Sequence, residues 1–337
     1  MNIIITGGSG FLGARLARAL LLRRELSLAG GAAQTIQNIT LVDRAAPPAD
    51  LLRDPRIKQL LGDLNQLLEL NQVDPADAEP SPWTKADVVF HLAAAVSGEC
   101  EADFDLGLRS NVDATRALLQ MCRAVNTQPT VVFASSLAVF GNSAAQPLPA
   151  VIDDRTLPTP QNSYGIQKFI GEQLVADYGR KGFIRARNVR LMTVSVRPGQ
   201  PNGAASSFLS GMIREPLAGA RAACPVPKET AVALASPTRT IEGLIRAVEA
   251  SDADWGARTA INFPALTVTV AAMAEALEKL AGKATADLID WVPNAAIAQI
   301  VTSWPSKIDA GCAHALGLLP DPDFESIVAD YVRENSR

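Results

Sequence analysis

The chain has 337 residues, 48% of them apolar and 20% charged, with a formal net charge of −4; that suffices for a full core in one large domain or two. The slightly acidic balance offers no basic face to nucleic acid or an anionic membrane, and no apolar run reaches the ~20 residues that cross a bilayer. Four scattered cysteines and only two histidines, His91 and His314, suggest neither a disulfide framework nor a metal site; without a basic-then-apolar leader, a cytoplasmic protein is expected.

The opening run, Asn2 to Thr6, is short and β-branched, as suits a strand buried on both faces of a parallel sheet. Glycines follow at 7, 10 and 13, and then Leu16, Ala17 and Leu20 keep helical spacing. Strand, glycine-rich turn and helix together are the context of a dinucleotide-binding loop. Gly7 takes the tight turn, Gly10 lets a pyrophosphate reach the backbone, and Gly13 lets the helix press on the strand. Phe11 and Leu12 open the helix, whose free N–H groups and positive end would hold the phosphates. A polar, small-residue loop from Ser27 to Asn38 leads to a second strand, Ile39 to Asp43. Asp43 lies about 30 residues after Gly13. A carboxylate there accepts hydrogen bonds from the adenosine ribose and repels a 2′-phosphate, so the expected cofactor is NAD rather than NADP.

A third strand, Ile57 to Leu61, runs into Gly62, Asp63 and Leu64. Asp63 is a candidate for the adenine amino group, although an Asp after Gly is also an ordinary turn. Gln72 to Pro82 reads as a surface loop. The fourth strand, Ala86 to Leu92, ends in Ala93, Ala94 and Ala95, small side chains that leave room for a flat nicotinamide beside Leu92. His91, inside that apolar run, reads as a core histidine with its ring nitrogens satisfied. Leu106 to Val125 is expected to be one long helix, within which Asn111 needs a task or an exposed face. Thr130 to Ser135 forms a fifth strand, closing on Ser136. After a Pro-rich loop, Gln146 to Pro160, a helix from Ser163 to Tyr178 carries Tyr164 and Lys168, and Arg190 to Arg197 is the sixth strand.

Beyond Pro201 the chain becomes irregular up to Pro237. A helix at Thr238 to Ala250, a strand at Thr259 to Asn262 and a helix at Val270 to Leu280 follow, with loops and two short helices in Trp291 to Arg337. The fold class expected is α/β: a Rossmann-type doubly wound parallel sheet with a smaller C-terminal substrate lobe. Residues 1–200 would form the NAD-binding domain, 238–262 would return to it, and 201–237 with 263–337 would form the lobe.

Tyr164 and Lys168 stand four apart on one helix face. An ammonium held beside a phenol favours the phenolate, which takes the proton of a substrate hydroxyl while hydride leaves the same carbon. Ser136, at the end of the neighbouring strand, is placed to donate a hydrogen bond to that oxygen.

This assembly resembles the extended short-chain dehydrogenase/reductase family, which includes the NAD-dependent epimerases and dehydratases. The matching pieces are TGGSGFLG (Thr6 to Gly13), HLAAA (His91 to Ala95), NVDAT (Asn111 to Thr115), SSLAVFG (Ser135 to Gly141) and YGIQK (Tyr164 to Lys168). The resemblance implies that Ser136, Tyr164 and Lys168 are the catalytic triad, that Lys168 also holds the nicotinamide ribose, and that Asn111 ties the active-site helix into the cofactor pocket. It further implies a homodimer built on the helices that carry Asn111 and Tyr164. Members acting on nucleotide sugars usually have a tyrosine where Phe140 stands and an Asn-Val-Tyr-Gly-Pro segment where this chain has RPGQPN, Arg197 to Asn202. The segments HLAAAVSGECEADFDLG, RPGQPN, SSFLSGMIREPL and SWPSKID instead look like the family's sugar-acid dehydrogenases. That resemblance implies oxidation of the hydroxyl next to a small sugar acid's carboxylate. Ser97, Ser136, Arg214 and Arg239 are the candidates for touching the substrate, with Arg239 placed before Arg214 for the carboxylate. The competing expectations are a nucleoside-diphosphate-sugar epimerase or dehydratase that keeps its NAD, and a catalytically silent nucleotide sensor.

Overall fold

In the computed structural model, which describes residues 1–70, 81–256 and 259–335, seven strands form one sheet. They are β1 Asn2–Thr6, β2 Asn38–Asp43, β3 Ile57–Leu61, β4 Val88–His91, β5 Thr130–Ser136, β6 Arg185–Leu191 and β7 Ile261–Asn262. All neighbours run parallel. Their spatial order is β3-β2-β1-β4-β5-β6-β7, so the winding reverses between β1 and β4. In such a sheet the crevice for a ligand opens at the carboxyl ends of those two strands.

The β-branched runs serve this arrangement because successive side chains enter opposite layers. Ile3 and Ile5 pack with Leu16 and Leu20 of the helix Phe11–Arg23 and with Leu244 of the helix Pro237–Glu249. Ile4 packs on the other face with Leu118 of the helix Ala114–Val125 and Val175 of the helix Ser163–Arg180. Another apolar cluster gathers Val196, Leu209, Ile213, Leu234, Met273 and Phe324. It is organised around the strand Ala231–Ala235, which pairs with Leu266–Thr269 and Thr193–Val194. The chain comes back from this cluster through the helix Pro237–Glu249 and β7, which extends the main sheet beside β6.

Five local expectations change, the first being that the stretch from Pro201 to Pro237, expected to be irregular, holds the helix Ser207–Leu217 and the strand Ala231–Ala235. The stretch read as a loop from Ser27 contains a hairpin in which Glu25–Ser27 pairs with Ala33–Thr35. The sixth strand starts at Arg185 and stops at Leu191 rather than running from Arg190 to Arg197, because its charged residues are neutralised inside the fold. Arg187 donates to the Ala247 and Ala250 carbonyls and pairs with Asp252, and Arg190 pairs with Glu172. The long helix is interrupted: Phe104–Gly107 passes into a π-helical turn, Leu108–Asp113, before Ala114–Val125. Three helices rather than two occupy the stretch after Trp291: Ala295–Ser303, Gly311–Ala315 and Phe324–Asn335. The loop expected at Gln72 to Pro82 lies, apart from Ser81 and Pro82, outside the described residues. Among the described residues no helix is long and apolar enough to cross a membrane.

Candidate active site

A cleft of about 660 Å³ runs along the carboxyl edge of the sheet, from the glycine loop past β4, β5 and β6 to the helix Ser207–Leu217. Its first end is shaped by what side chains would obstruct. Gly7 has φ of +69°, and a Cβ there would stand 2.9 Å from the Ala93 backbone nitrogen. A Cβ on Gly13 would come to 2.2 Å from the Gly7 carbonyl oxygen, so only glycine lets the helix Phe11–Arg23 start this close to β1. At Gly10, by contrast, a Cβ would meet only the Gly7 oxygen, at 3.2 Å, and the side facing the cleft is open. Backbone N–H groups at a helix start, facing open space, fit the pyrophosphate of a dinucleotide. Asp43 lines the same end. Its carboxylate accepts from the Ser9 N–H at 3.0 Å and the Ala45 N–H at 3.2 Å, which fixes it at the mouth of the glycine loop.

Asp63, Leu64, Leu92, Ala93 and Ala94 also line the cleft. Asp63 is partly committed, since one carboxylate oxygen accepts from the Asn65 N–H at the start of the following helix. His91 does not reach the cleft. It is buried between Thr6 Oγ1, 2.7 Å from Nδ1, and Thr115 Oγ1, 3.0 Å from Nε2, and burial pushes its pKa down to about 3. Asn111, expected among the cofactor contacts, lies behind the wall instead. From the π-helical turn its Oδ1 accepts from the Ala95 N–H at 2.8 Å, while its Nδ2 donates to the Ala95 carbonyl and to Gln167 Oε1. It therefore clamps the strand-end loop against the helix Ser163–Arg180 without touching the cavity. The wider turn accounts for an asparagine in the middle of a helical stretch.

The centre of the cleft brings Ser136, Tyr164 and Lys168 together. Ser136 ends β5 and caps the turn after it, accepting from the Ala138 N–H at 3.1 Å. Asn162 caps the helix that carries the other two by accepting from the Gly165 N–H at 2.8 Å. Burial pushes the Tyr164 phenol up to about 12, opposed by a hydrogen bond with Ser136 and by the charge of Arg197. Lys168 donates to the Ala134 carbonyl at 2.8 Å and sits 5.7 Å from the centre of the Tyr164 ring. Burial lowers its pKa to about 8, with Cys100 and Glu172 opposing the change. The expectation that the lysine would draw the phenol below its usual range is thus not met in this geometry, where desolvation of both groups dominates. Glu172, 0% exposed, is one turn further along; it accepts from Ser135 Oγ at 2.5 Å and from Arg190 at 2.7 and 2.8 Å.

At the far end the cleft meets Ser97, Arg197, Arg214 and Trp304. Ser97 Oγ accepts from the Ala205 N–H at 3.0 Å, fastening the strand-end loop to the start of the second cluster. Arg214 donates to the Arg197 carbonyl at 2.8 Å and pairs with Glu215 at 2.5 Å. Arg239 is elsewhere, which corrects the expectation that favoured it. It stands in the first turn of the helix Pro237–Glu249, but its guanidinium turns back to Glu242 at 2.8 Å, outside the cleft. Arg197 was named only as part of the RPGQPN segment. The signal pointing to it, an arginine at the end of the expected sixth strand, carries no information about which way the side chain turns.

Comparison with known proteins places these features in a family. Residues 3–231 match the model of the NAD dependent epimerase/dehydratase family. The chain is 47% identical over 334 residues to the D-erythronate dehydrogenase of Cupriavidus necator, covering 99% of this chain and 98% of that protein. It is 39% identical over 332 residues to the D-erythronate dehydrogenase of Haemophilus influenzae, covering 98% and 99% respectively. Among solved structures, a nucleoside-diphosphate-sugar epimerase from Agrobacterium tumefaciens superposes with a TM-score of 0.86 at 37% identity, over all of this chain and 94% of the other. The L-threonine 3-dehydrogenase of Trypanosoma brucei, 22% identical, shares the fold with a TM-score of 0.80 over 99% and 96%. The chain belongs to the NAD-dependent epimerase/dehydratase family of extended short-chain dehydrogenases/reductases, and is an NAD-dependent oxidoreductase.

Proposed function

We propose that this enzyme oxidises the hydroxyl next to the carboxylate of a small sugar acid, D-erythronate or a close relative, giving the 2-oxo acid. The observation that carries the reading is that Ser136, Tyr164 and Lys168 line one cleft whose far end is lined by two arginines. The near identity in length and the 47% identity to a D-erythronate dehydrogenase support the same substrate class.

The glycine loop and Asp43 would hold NAD, which supplies the hydride acceptor when bound. Ser136 donates a hydrogen bond to the substrate oxygen and keeps it in place as the carbonyl forms. Tyr164 takes the hydroxyl proton as its phenolate, a form that the charge of Arg197 and the positive ring of bound NAD would favour over the phenol of the cofactor-free protein; a base in this position contributes roughly two to four orders of magnitude in rate. Lys168 keeps a positive charge near the phenol as that proton moves. Removing one hydride and one proton from the same C–OH balances the step.

The likeness to a nucleoside-diphosphate-sugar epimerase from Agrobacterium tumefaciens favours one other reading, in which a nucleotide sugar is oxidised and reduced again within a turnover. Incubation with NAD and, in turn, D-erythronate, D-threonate, erythritol and UDP-glucose separates the two. Stoichiometric NADH and a 2-oxo acid, trapped as its hydrazone, are expected with the sugar acid. An epimerised nucleotide sugar with no net NADH would replace this reading with the other.

A further inference from the structure

We infer that Arg197, not Arg214, receives the substrate carboxylate, and that Arg214 is a positioning residue that holds Arg197 for it. The inference rests on the sugar-acid reading and adds the residue that selects for the acid.

The two arginines differ in what already occupies them. Arg214 is spent: one terminal nitrogen donates to the Arg197 carbonyl at 2.8 Å and the other pairs with Glu215 at 2.5 Å. Its charge is neutralised by the residue beside it. Arg197 is anchored only by its backbone. Its N–H donates to Ser210 Oγ at 3.0 Å and its carbonyl accepts from Arg214. Among the described residues its guanidinium forms no ion pair and no hydrogen bond, although it lines the cleft. Burial and the neighbouring charge of Arg214 lower its pKa and only Tyr164 opposes them, so no carboxylate of the protein stabilises its positive form. A half-buried cation without a hydrogen-bond partner or counter-ion is unfavourable, and such broken rules concentrate where a ligand completes the site. The missing partner is an anion with planar, two-pronged acceptors, which is what a carboxylate offers a guanidinium.

Position agrees with charge. Arg197 acts electrostatically on Tyr164, favouring the phenolate. Both residues line the same cleft, as a hydroxyl next to a carboxylate requires. The other carboxylates on the cleft wall are engaged apart from it. Asp43 and Asp63 belong to the end with the glycine loop, and Glu99 accepts from the Val96 N–H at 3.0 Å.

The test measures binding without turnover. In a Tyr164→Phe background saturated with NAD, D-erythronate is titrated by calorimetry with Arg197 intact, as Arg197→Met and as Arg197→Lys. The neutral D-erythronamide is titrated alongside. Arg197→Met should weaken the acid by roughly thirty- to a thousandfold, and the amide by much less. Arg197→Lys keeps the charge and loses the fork, and should fall between. The affinity for NAD should stay within about twofold of the parent. If Arg197→Met fails to fold, Arg197→Lys carries the comparison. Unchanged affinity for the acid, or an equal loss for acid and amide, overturns the assignment. A parent protein that binds no D-erythronate at all overturns the sugar-acid reading, and this inference with it.

Discussion

The ammonium of Lys168 lies 5.7 Å from the centre of the Tyr164 ring, and its hydrogen bond goes to the Ala134 carbonyl, not to the phenol. Both groups are desolvated, and for both the neutral form gains: the tyrosine is pushed up to about 12 and the lysine down to about 8. As pH rises, Lys168 is thus the first of the two to lose a proton. Difference ultraviolet titration of the NAD-free wild type against Tyr164→Phe should therefore show no tyrosinate from Tyr164 below about pH 10. A phenolate signal near neutrality would mean that the lysine controls the phenol after all.

The same burial makes Lys168 expensive to keep. Its pKa falls from 10.5 to about 8 on folding, a penalty on the order of 3 kcal/mol while the ammonium is charged. Below pH 8 the penalty is present in full. Between pH 8 and 10.5 the folded state has lost the proton and the unfolded state still binds it, so stability rises with pH. Lys168→Met should therefore melt above wild type at pH 7, lose nearly all turnover, and show a shrinking advantage as the melts are repeated toward pH 10. A lower melting temperature at pH 7 would show that the bond to Ala134 outweighs the desolvation.

Asp43 should set the cofactor preference. Its carboxylate is held at the glycine loop by the Ser9 and Ala45 N–H groups, so it cannot swing aside for a 2′-phosphate. The preference for NAD over NADP should be roughly one to three orders of magnitude, because a carboxylate facing a phosphate in a partly desolvated site costs on the order of a few kcal/mol. Asp43→Ala should narrow the ratio of kcat/KM values, mainly by admitting NADP. Equal efficiency of wild type with both cofactors would remove Asp43 from this role.

Much of this was legible in the chain itself, for physical reasons. The glycine spacing at 7, 10 and 13 and the β-branched runs report directly on close approach and burial, and the parallel sheet follows from them. Side-chain direction is less visible. Arg239 and Arg214 look alike in the sequence, yet Arg239 pairs with Glu242 one turn on, away from the cleft, while Arg214 is buried and donates to the Arg197 carbonyl. The sixth strand was displaced because charged residues normally argue against burial, and only the fold brings Glu172 and Asp252 to Arg190 and Arg187. Asn111 signalled an irregularity in its helix, but the π-helical turn that sends it to Ala95 and Gln167 depends on tertiary partners.

The role of Tyr164 as the base in sugar-acid oxidation is tested most directly by the rate of NADH formation from D-erythronate, wild type beside Tyr164→Phe. The variant keeps the ring and its packing and loses only the phenol hydroxyl. It should fold with an unchanged melting temperature, bind NAD as the wild type does, and turn over roughly two to four orders of magnitude more slowly. A variant that retains more than a tenth of the wild-type rate would mean that another group takes the proton.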